Sequence, residues 1–353
     1  MELILNSDID EILNRNIASL NKMQGKKILI TGAAGFLGRY FMKVFEEYNK
    51  IANNSIKIVA LDNHITSLHN NDSFKVVDSN VEWIFGDAKL GSELPDRFDY
   101  ILHAAGIASP AHYRTYPLET IYVAVDITRS LLNKAQKDGA RLLFFSSSEI
   151  YGDPIPSEIP TSEDYKGNVS TRGPRSCYDE SKRLGETLCY VYSSEFKVPA
   201  FAVRPFNVYG PGMMPTDYRV LPNFAVSLVK GTKVSVYGHG EQTRTFCYIT
   251  DAITGFLKVL IDAQNPTVYN VGNPDPEISM KDLAKLSCRI FNSLENFELV
   301  PYPASYPEDE PNRRCPNINK ISKELDFSPE IQLEEGLSRF FYWAKLHYPK
   351  LIK

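Results

Sequence analysis

The stretch GKKILITGAAGFLGRYFMKVFEEY, residues 25–48, joins an apolar run, a glycine-rich turn and a periodic segment. The apolar run predicts a buried strand, and the spacing of apolar residues after the turn predicts an amphipathic helix. Three glycines at GxxGxxG spacing let the backbone turn tightly and approach a pyrophosphate, whose charge then lies at the N-terminus of the helix. The stretch therefore predicts a dinucleotide-binding turn with contacts from Gly32, Gly35, Phe36, Leu37 and Gly38.

Further apolar runs downstream of this turn end in residues suited to the rest of a dinucleotide. The run IKIVALD ends at Asp62, where a carboxylate accepts hydrogen bonds from an adenosine ribose and repels a 2′-phosphate, so NAD is favoured over NADP. Asp87 follows NVEWIF and either faces the adenine or lies in a solvated loop. Ala104 and Ala105 follow FDYILH and are small enough for a cofactor to lie beside them. The alternation of strands and helices predicts an α/β fold, a Rossmann-type doubly wound parallel sheet with a smaller C-terminal α/β substrate lobe.

Two later segments, RLLFFSSSEIYG and GPRSCYDESKRLGET, indicate redox chemistry on a hydroxyl. Tyr178 and Lys182 are four residues apart, so they lie on one face of a helix. A neighbouring cation is expected to lower the phenol pKa from about 10, which makes Tyr178 a usable base. Ser147, Ser148 and Glu149 follow a predicted strand, and open α/β sheets bind ligands at the carboxyl ends of their strands. A Tyr-x-x-x-Lys pair also occurs by chance on ordinary helices, and the glycine turn upstream favours the functional interpretation.

The composition and charge of the chain exclude several classes of protein. The chain has 353 residues and a net charge of −4 without a basic stripe, which argues against a nucleic-acid partner. It has no run of 18 apolar residues and no signal peptide, so we expect a cytoplasmic protein without a membrane partner. Five cysteines without metal-ligand spacing favour reduced thiols over a zinc site.

The pattern along the chain suggests an organisation into three parts. Residues 1–24 predict an amphipathic helical extension packed on the body, with Ser7 and Asp8 as candidate caps. A helix that binds a partner or a membrane surface is the second interpretation. Residues 25–205 predict the NAD-binding domain, with a return segment near 245–270. Residues 206–244 and 271–353 have loops rich in Gly, Pro and charge, and predict a lobe that binds the substrate.

Several polar side chains of this lobe suit a phosphorylated or acidic substrate. Guanidinium groups form planar forks that match diphosphate and carboxylate, although each arginine alone is more often a surface ion pair. Asn207 is a candidate donor to a phosphate. The arginines are Arg204, Arg219, Arg244, Arg313 and Arg314.

Six segments together resemble the extended short-chain dehydrogenases/reductases that modify sugar nucleotides, the NAD-dependent epimerase/dehydratase family. The segments are TGAAGFLG, SSSEIYGDP, GPRSCYDESKRLGET, RPFNVYGP, GHGEQTRTFCYITD and EPNRRCPNI. The likeness covers residues 25–345 and is nearest to the UDP-glucuronate decarboxylases.

The resemblance implies that NAD stays bound as a catalytic relay. Tyr178, with Lys182 beside it, would take the proton of the sugar 4-hydroxyl. The resulting 4-ketone of a sugar acid loses carbon dioxide, and its reduction then gives UDP-xylose. The resemblance also implies a homodimer built on the Tyr178 helix and on the helix near residues 117–136.

Site residues follow from the resemblance position by position. Ser147 and Ser148 would bind the sugar, and Glu149 would shape or protonate the region near C5. Arg314 would engage the carboxylate or assist proton delivery. Further substrate contacts would come from Arg175, Tyr237 and Arg244, in addition to Asn207 and Arg219, which are candidates from their side-chain chemistry.

Departures from the family pattern indicate a divergent branch. Ser147 stands where threonine is usual, Gly212 replaces an arginine, and Cys315 replaces a frequent lysine. Ala124 and Ile127 stand in place of an asparagine and a glycine.

Three alternatives stay open at the level of sequence. The first is a 4,6-dehydratase, although Ser148 stands where dTDP-glucose dehydratases have an acidic aspartate. The second is a 4-epimerase, which does not need Glu149. The third is a sugar-nucleotide-binding protein without turnover.

Overall fold

A parallel sheet of seven strands forms the centre of the computed structural model, which describes residues 4–66, 79–293, 296–302 and 311–352. The strands of this sheet are β1 (Lys27–Thr31), β2 (Lys57–Asp62), β3 (Val81–Phe85), β4 (Tyr100–His103), β5 (Arg141–Phe145), β6 (Ala200–Pro205) and β11 (Val268–Val271). Their spatial order is β11-β6-β5-β4-β1-β2-β3, and every pair is parallel. The order reverses between β1 and β4, the kind of switch point where open α/β sheets bind ligands. The predicted Rossmann-type α/β fold is confirmed.

Helices flank this sheet and continue into the second half of the chain. They are α1 (Asn6–Asn21), α2 (Phe36–Asn49), α3 (Leu90–Glu93), α4 (Pro110–Thr115), α5 (Pro117–Tyr122), α6 (Thr128–Asp138), α7 (Ser176–Phe196), α8 (Val220–Lys230), α9 (Ile249–Asp262), α10 (Met280–Ile290), α11 (Asn319–Leu325) and α12 (Leu333–Leu351). Among the described residues, none of these helices is both long and apolar enough to cross a membrane.

The glycine turn connects β1 to α2 as its sequence predicts. The apolar residues of β1 are fully buried in the sheet. Gly32 has φ +74°, and a Cβ there would lie 2.5 Å from the Ala105 nitrogen. A Cβ on Gly38 would overlap the Gly32 carbonyl oxygen. Both positions therefore require glycine, because α2 packs directly against the turn and β4.

Within the described part of the chain, three small sheets lie outside the central one. They are β7 (Val208–Tyr209) with β10 (Cys247–Tyr248), β8 (Val234–Tyr237) with β13 (Phe297–Val300), and β9 (Thr243–Arg244) between β12 (Ile278–Ser279) and β14 (Arg313–Arg314). One large buried apolar cluster runs from α1 and α2 through the sheet to α12. The proposed division at residues 25–205, 206–244 and 271–353 stays a prediction.

The N-terminal helix α1 packs against α9 and α2 with its apolar face buried, as predicted for an extension that lies on the body. The predicted capping by Ser7 and Asp8 is wrong. The helix begins at Asn6 after Leu5, and no side chain caps it. Asp8 instead lies inside the first turn and is fully buried, where the side chains of Tyr248 on β10 and Arg339 on α12 donate to its carboxylate.

Candidate active site

Three of the predicted catalytic side chains meet at the carboxyl end of β5. Tyr178 lies in the first turn of α7, is 5% exposed and forms a hydrogen bond with the Ser147 side chain. Lys182, one turn further on, donates from Nζ to the carbonyl oxygen of Phe145 at 2.6 Å. Its Nζ lies 4.9 Å from the centre of the Phe144 ring and 5.8 Å from that of Tyr178. The i,i+4 spacing therefore places both groups on the buried face of α7, as the sequence predicts.

The acid–base properties of this pair differ from the prediction. Burial raises the pKa of Tyr178, and it outweighs the hydrogen bond from Ser147 and the positive charges of Arg219 and Arg175, which lower that pKa. Burial also lowers the pKa of Lys182 to about 8. The predicted lowering of the Tyr178 pKa by Lys182 is therefore wrong for the protein alone, because the phenolate loses more hydration than the nearby cations restore.

Glu149 is held by two buried arginines from distant parts of the chain. Arg314, on β14, binds its carboxylate with both terminal nitrogens, with Nη2 2.9 Å from Oε2. Arg175, directly before α7, binds Oε2 as well. Both arginines are at most 5% exposed. Asp179 lies 3.7 Å from Arg175, so the four groups carry no net formal charge. The cluster is thus a guanidinium site that binds carboxylate in the geometry of a planar fork.

The two serines before Glu149 differ in their environment. Ser147 accepts a hydrogen bond from the Glu149 backbone nitrogen at 3.2 Å, besides contacting Tyr178. Ser148 is 2% exposed and begins a 3₁₀ turn that ends at Tyr151. Of the two, Ser147 is the hydroxyl beside the phenol.

Tyr113 is a site neighbour that the sequence reasoning missed. Its ring stacks on that of Tyr178, with centroids 5.1 Å apart and planes inclined by 15°. Tyr113 is 1% exposed and lies on the short helix α4. Nothing in its local sequence distinguishes it from a core tyrosine, so only the packing of α4 against α7 identifies it.

The predicted cofactor edge is formed by the ends of β1, β2 and β4. Asp62 accepts hydrogen bonds from the backbone nitrogens of Ala34 at 2.9 Å and His64 at 2.7 Å, so its carboxylate lies beside the glycine turn. A Cβ on Gly35 would meet only the Gly32 carbonyl oxygen, at 3.1 Å, and otherwise open space. The open side of the turn at the N-terminus of α2 therefore fits a diphosphate.

The remaining predicted cofactor residues lie around this edge. Phe36 and Leu37 form the start of α2 and are half-buried. Ala104 follows β4 and donates from its backbone nitrogen to the Thr31 carbonyl, with half-buried Ala105 next to it. Asp87 is exposed and accepts from the Lys89 nitrogen at 2.8 Å, an arrangement typical of a loop turn.

The predicted substrate contacts are engaged with protein groups in this structure. Arg219 forms a two-pronged pair with Asp217 at 2.5 and 2.7 Å. Arg244 donates to backbone carbonyls, including that of Pro311 at 2.7 Å. The Asn207 amide donates to the carbonyl of Thr245 at 2.8 Å. Protein acceptors therefore fix the positions of these three side chains.

Two of the candidate arginines bind carboxylates with a structural role. Arg204 holds Glu186 with two nitrogens, at 2.9 and 2.7 Å, and also contacts Tyr151. Arg313 holds Glu277 in the same way, at 2.8 and 2.7 Å. Their forks are therefore occupied by carboxylates away from Tyr178.

Other predicted positions lie at separate places. The Tyr237 ring, at the end of β8, lies 5.8 Å from that of Tyr302. Ala124 and Ile127 are buried in a π-helical turn between α5 and α6. Such turns are frequent at functional sites.

Residues 28–272 match the model of the NAD dependent epimerase/dehydratase family. The chain belongs to this family. Its members include UDP-glucuronic acid decarboxylase 1 of Xenopus tropicalis, to which the chain is 36% identical over 326 residues, 92% of this chain and 74% of that protein. The enzyme of the same name from Arabidopsis thaliana is 36% identical over 313 residues, 89% of this chain and 68% of that protein.

Solved structures of the family share the fold. The dTDP-glucose 4,6-dehydratase of Streptomyces venezuelae, solved with NAD bound, superposes with a TM-score of 0.80 at 21% identity, and the match covers 92% of this chain and 99% of that one. A UDP-glucuronic acid 4-epimerase from Bacillus cereus, also solved with NAD, has a TM-score of 0.77 at 26% identity, and the match covers 91% and 99% of the two chains. NAD is therefore the cofactor of this family member, and the glycine turn with Asp62 beside it is open enough to fit its diphosphate.

Proposed function

We propose that the protein converts a nucleotide sugar acid by NAD-dependent decarboxylation, with UDP-glucuronate as substrate and UDP-xylose as product. The observation that carries the proposal is the buried Arg314 and Arg175 pair, which binds the carboxylate of Glu149 near Tyr178. The relatives named UDP-glucuronic acid decarboxylase support the same choice of substrate.

The chemistry requires an oxidation that is later reversed. When bound, oxidised NAD would supply the hydride acceptor for C4. Oxidation at C4 places a carbonyl β to the carboxylate on C5. Carbon dioxide then leaves because the electrons of the breaking bond move into that carbonyl, forming an enolate. Protonation at C5 and reduction at C4 complete the conversion.

The residues of the chain have separate parts in this proposal. Tyr178 takes the proton of the 4-hydroxyl, and Ser147, hydrogen-bonded to Tyr178, orients that hydroxyl. Lys182 adds positive charge on the same helix face. Arg314 and Arg175 hold the carboxylates of the substrate and Glu149 and stabilise the enolate charge. Ser148 contacts the sugar, while Asn207, Arg219, Tyr237 and Arg244 contact the nucleotide or its phosphates.

Mass spectrometry of the protein incubated with NAD and UDP-glucuronate tests the proposal. Loss of carbon dioxide from the substrate is expected, and the product mass also tells whether the ketone was reduced before release. An unchanged substrate mass, with the 4-position inverted, would instead make the protein a 4-epimerase like its solved relative. No conversion of UDP-glucuronate, with loss of water from dTDP-glucose or GDP-mannose, would make it a 4,6-dehydratase.

We also propose that the protein works as a homodimer built on α5 and α7. Apolar side chains on these helices face outward, including Leu118 at 76% and Tyr190 at 71% exposure. A cavity of about 840 Å³ opens on the same face, lined in part by Ile121 and Leu184. These exposed apolar side chains lie together on one face instead of being scattered singly. A contiguous apolar patch of this kind supports a protein–protein interface.

A further inference from the structure

The loop Gly210–Met213, here called the GPGM loop, is held by side chains rather than by a strand. Three successive carbonyl oxygens each accept a hydrogen bond from a buried side chain. Tyr40 Oη donates to Pro211 at 3.0 Å, Arg39 Nη2 donates to Gly212 at 2.5 Å, and Tyr348 Oη donates to Met213 at 3.1 Å. The three donors are at most 6% exposed. The position of the loop is therefore set by α2 and α12.

Two of these donors lie at the end of α2 that faces the cofactor. Arg39 and Tyr40 are the fourth and fifth residues of the helix, which begins at Phe36 directly after the glycine turn. This helix N-terminus is the part that binds the NAD pyrophosphate. The GPGM loop follows β6 and β7, and its contacts with Arg39 and Tyr40 hold it against this first part of α2.

The N-terminal helix α1 reaches this contact through Asp8. Its carboxylate is fully buried and accepts from Tyr248 Oη at 2.8 Å and from Arg339 Nη1 at 3.1 Å. It also lies 3.4 Å from Tyr40 Oη. The Tyr40 hydroxyl therefore contacts both the Asp8 carboxylate and the Pro211 carbonyl. Through Asp8, α1 contacts a group that holds the loop.

We propose that helix α1, through Asp8 and Tyr40, holds the GPGM loop against the glycine-turn helix and thereby slows the release of NAD. The proposal rests on NAD as the cofactor and not on decarboxylation. Slow release has a chemical use in a reaction without net redox change, because a cofactor that leaves between oxidation and reduction strands the substrate as a ketone. The N-terminal extension therefore helps to keep NAD bound.

The chain offers a matched pair of variants for the test. Tyr40 and Tyr48 both lie on α2, are both fully buried, and both contact α1 through the hydroxyl, since Tyr48 Oη donates to Asn21 at 2.7 Å. Only the Tyr40 hydroxyl also reaches the GPGM loop. Tyr40→Phe and Tyr48→Phe therefore remove the same group and differ in the contact with the loop.

The measurement is the rate at which the full chain, loaded with NADH, loses its bound nicotinamide fluorescence when chased with excess NAD. Tyr40→Phe should speed release by roughly five- to tenfold, the effect of one lost buried hydrogen bond, and Tyr48→Phe should stay near the wild-type rate. Asp8→Asn should speed release in the same direction, and the double variant should exceed the faster single variant only slightly, because both changes act on one contact.

Equal release rates for Tyr40→Phe and Tyr48→Phe would overturn the proposal. So would an Asp8→Asn variant that melts at a lower temperature but releases NADH at the wild-type rate, since α1 would then stabilise the fold without acting on the cofactor. If Tyr40→Phe does not fold, the Asp8→Asn comparison decides alone. No step of the test uses a sugar nucleotide, so its outcome is independent of the proposed reaction.

Discussion

Tyr178 has to lose a proton in a pocket where burial raises its pKa. The protein alone supplies one hydrogen bond, from Ser147, and the distant charges of Arg219 and Arg175 to oppose that effect. A phenol in this setting is a poor base until further positive charge arrives. The residue is therefore expected to work as a base only when cofactor and substrate are both in place.

Replacement of Tyr178 by Phe should reduce turnover by at least about 10²-fold while NAD stays bound, because the ring still packs on Tyr113 and only the proton acceptor is lost. The product formation rate and the bound NAD per chain are the two measurements. Tyr192→Phe is the control, since this tyrosine lies on the same helix and its hydroxyl contacts Asn133 at 2.6 Å on the surface. Near-normal activity of Tyr178→Phe would remove Tyr178 from the mechanism.

Arg314 and its neighbour Arg313 allow a paired test of the carboxylate site. Arg314→Ala should lower kcat for carbon dioxide release by roughly 10²-fold, because a guanidinium that stabilises developing charge is lost. Arg313→Ala should lower it little, since Arg313 is exposed and pairs with Glu277. Thermal melting of both variants separates activity from folding. Equal rates for the two variants would contradict the assigned role of Arg314.

At the scale of elements, helix α1 contains a buried carboxylate whose charge is costly. Burial raises the pKa of Asp8 from 3.8 to about 6, against the hydrogen bond from Tyr248 and the charge of Arg339. The nearby Glu11 raises that pKa further, and the Tyr40 hydroxyl faces the same carboxylate. A group with a raised pKa in the folded state stabilises the protein below its unfolded pKa and loses that contribution as the pH rises through the folded pKa.

The free energy of unfolding should therefore fall, relative to that of Asp8→Asn, as the pH rises from 4 to 7. The change should be at most about 3 kcal/mol, because the shift is about two pKa units at about 1.4 kcal/mol each. Chemical denaturation at several pH values measures it, with Asp10→Asn on the exposed side of α1 as a control. A wild-type protein that gains stability over Asp8→Asn with rising pH would show that Arg339 outweighs burial.

The elements themselves could largely be predicted from sequence, because their signals are local. The apolar run of β1, the glycine spacing and the i,i+4 pair of α7 each act within a few residues. The role of Asp8 could not be predicted, because a polar residue near the start of a helix has the local pattern of a cap. Its actual partners, Tyr248 and Arg339, are more than 200 residues away in the sequence. The predicted direction of the Tyr178 pKa was wrong for the same reason, because the burial of the phenol depends on the packing of the whole chain.

At the scale of the whole molecule, the arginines show what the sequence leaves open. Arg204, Arg313 and Arg314 have the same side chain, and each holds a carboxylate. Of these three, Arg314 is the one that binds Glu149, the acid directly after Ser147 and Ser148, and it lies on β14, which pairs with β9. The position of an arginine in the folded chain, and not its residue type, decides whether it belongs to the candidate site or has a structural role.

The exposed face formed by α5 and α7 is the proposed dimer interface. Tyr190 on α7 is 71% exposed and lies next to the outward apolar residues of α5, whereas Tyr342 on α12 is 63% exposed on another part of the surface. Light scattering should give twice the mass of one chain for the wild type. Tyr190→Glu should give the mass of a monomer, because a charge buried without a partner opposes association. Tyr342→Glu should remain a dimer. A wild-type monomer would exclude the proposed assembly, and a monomer from Tyr342→Glu alone would move the interface to α12.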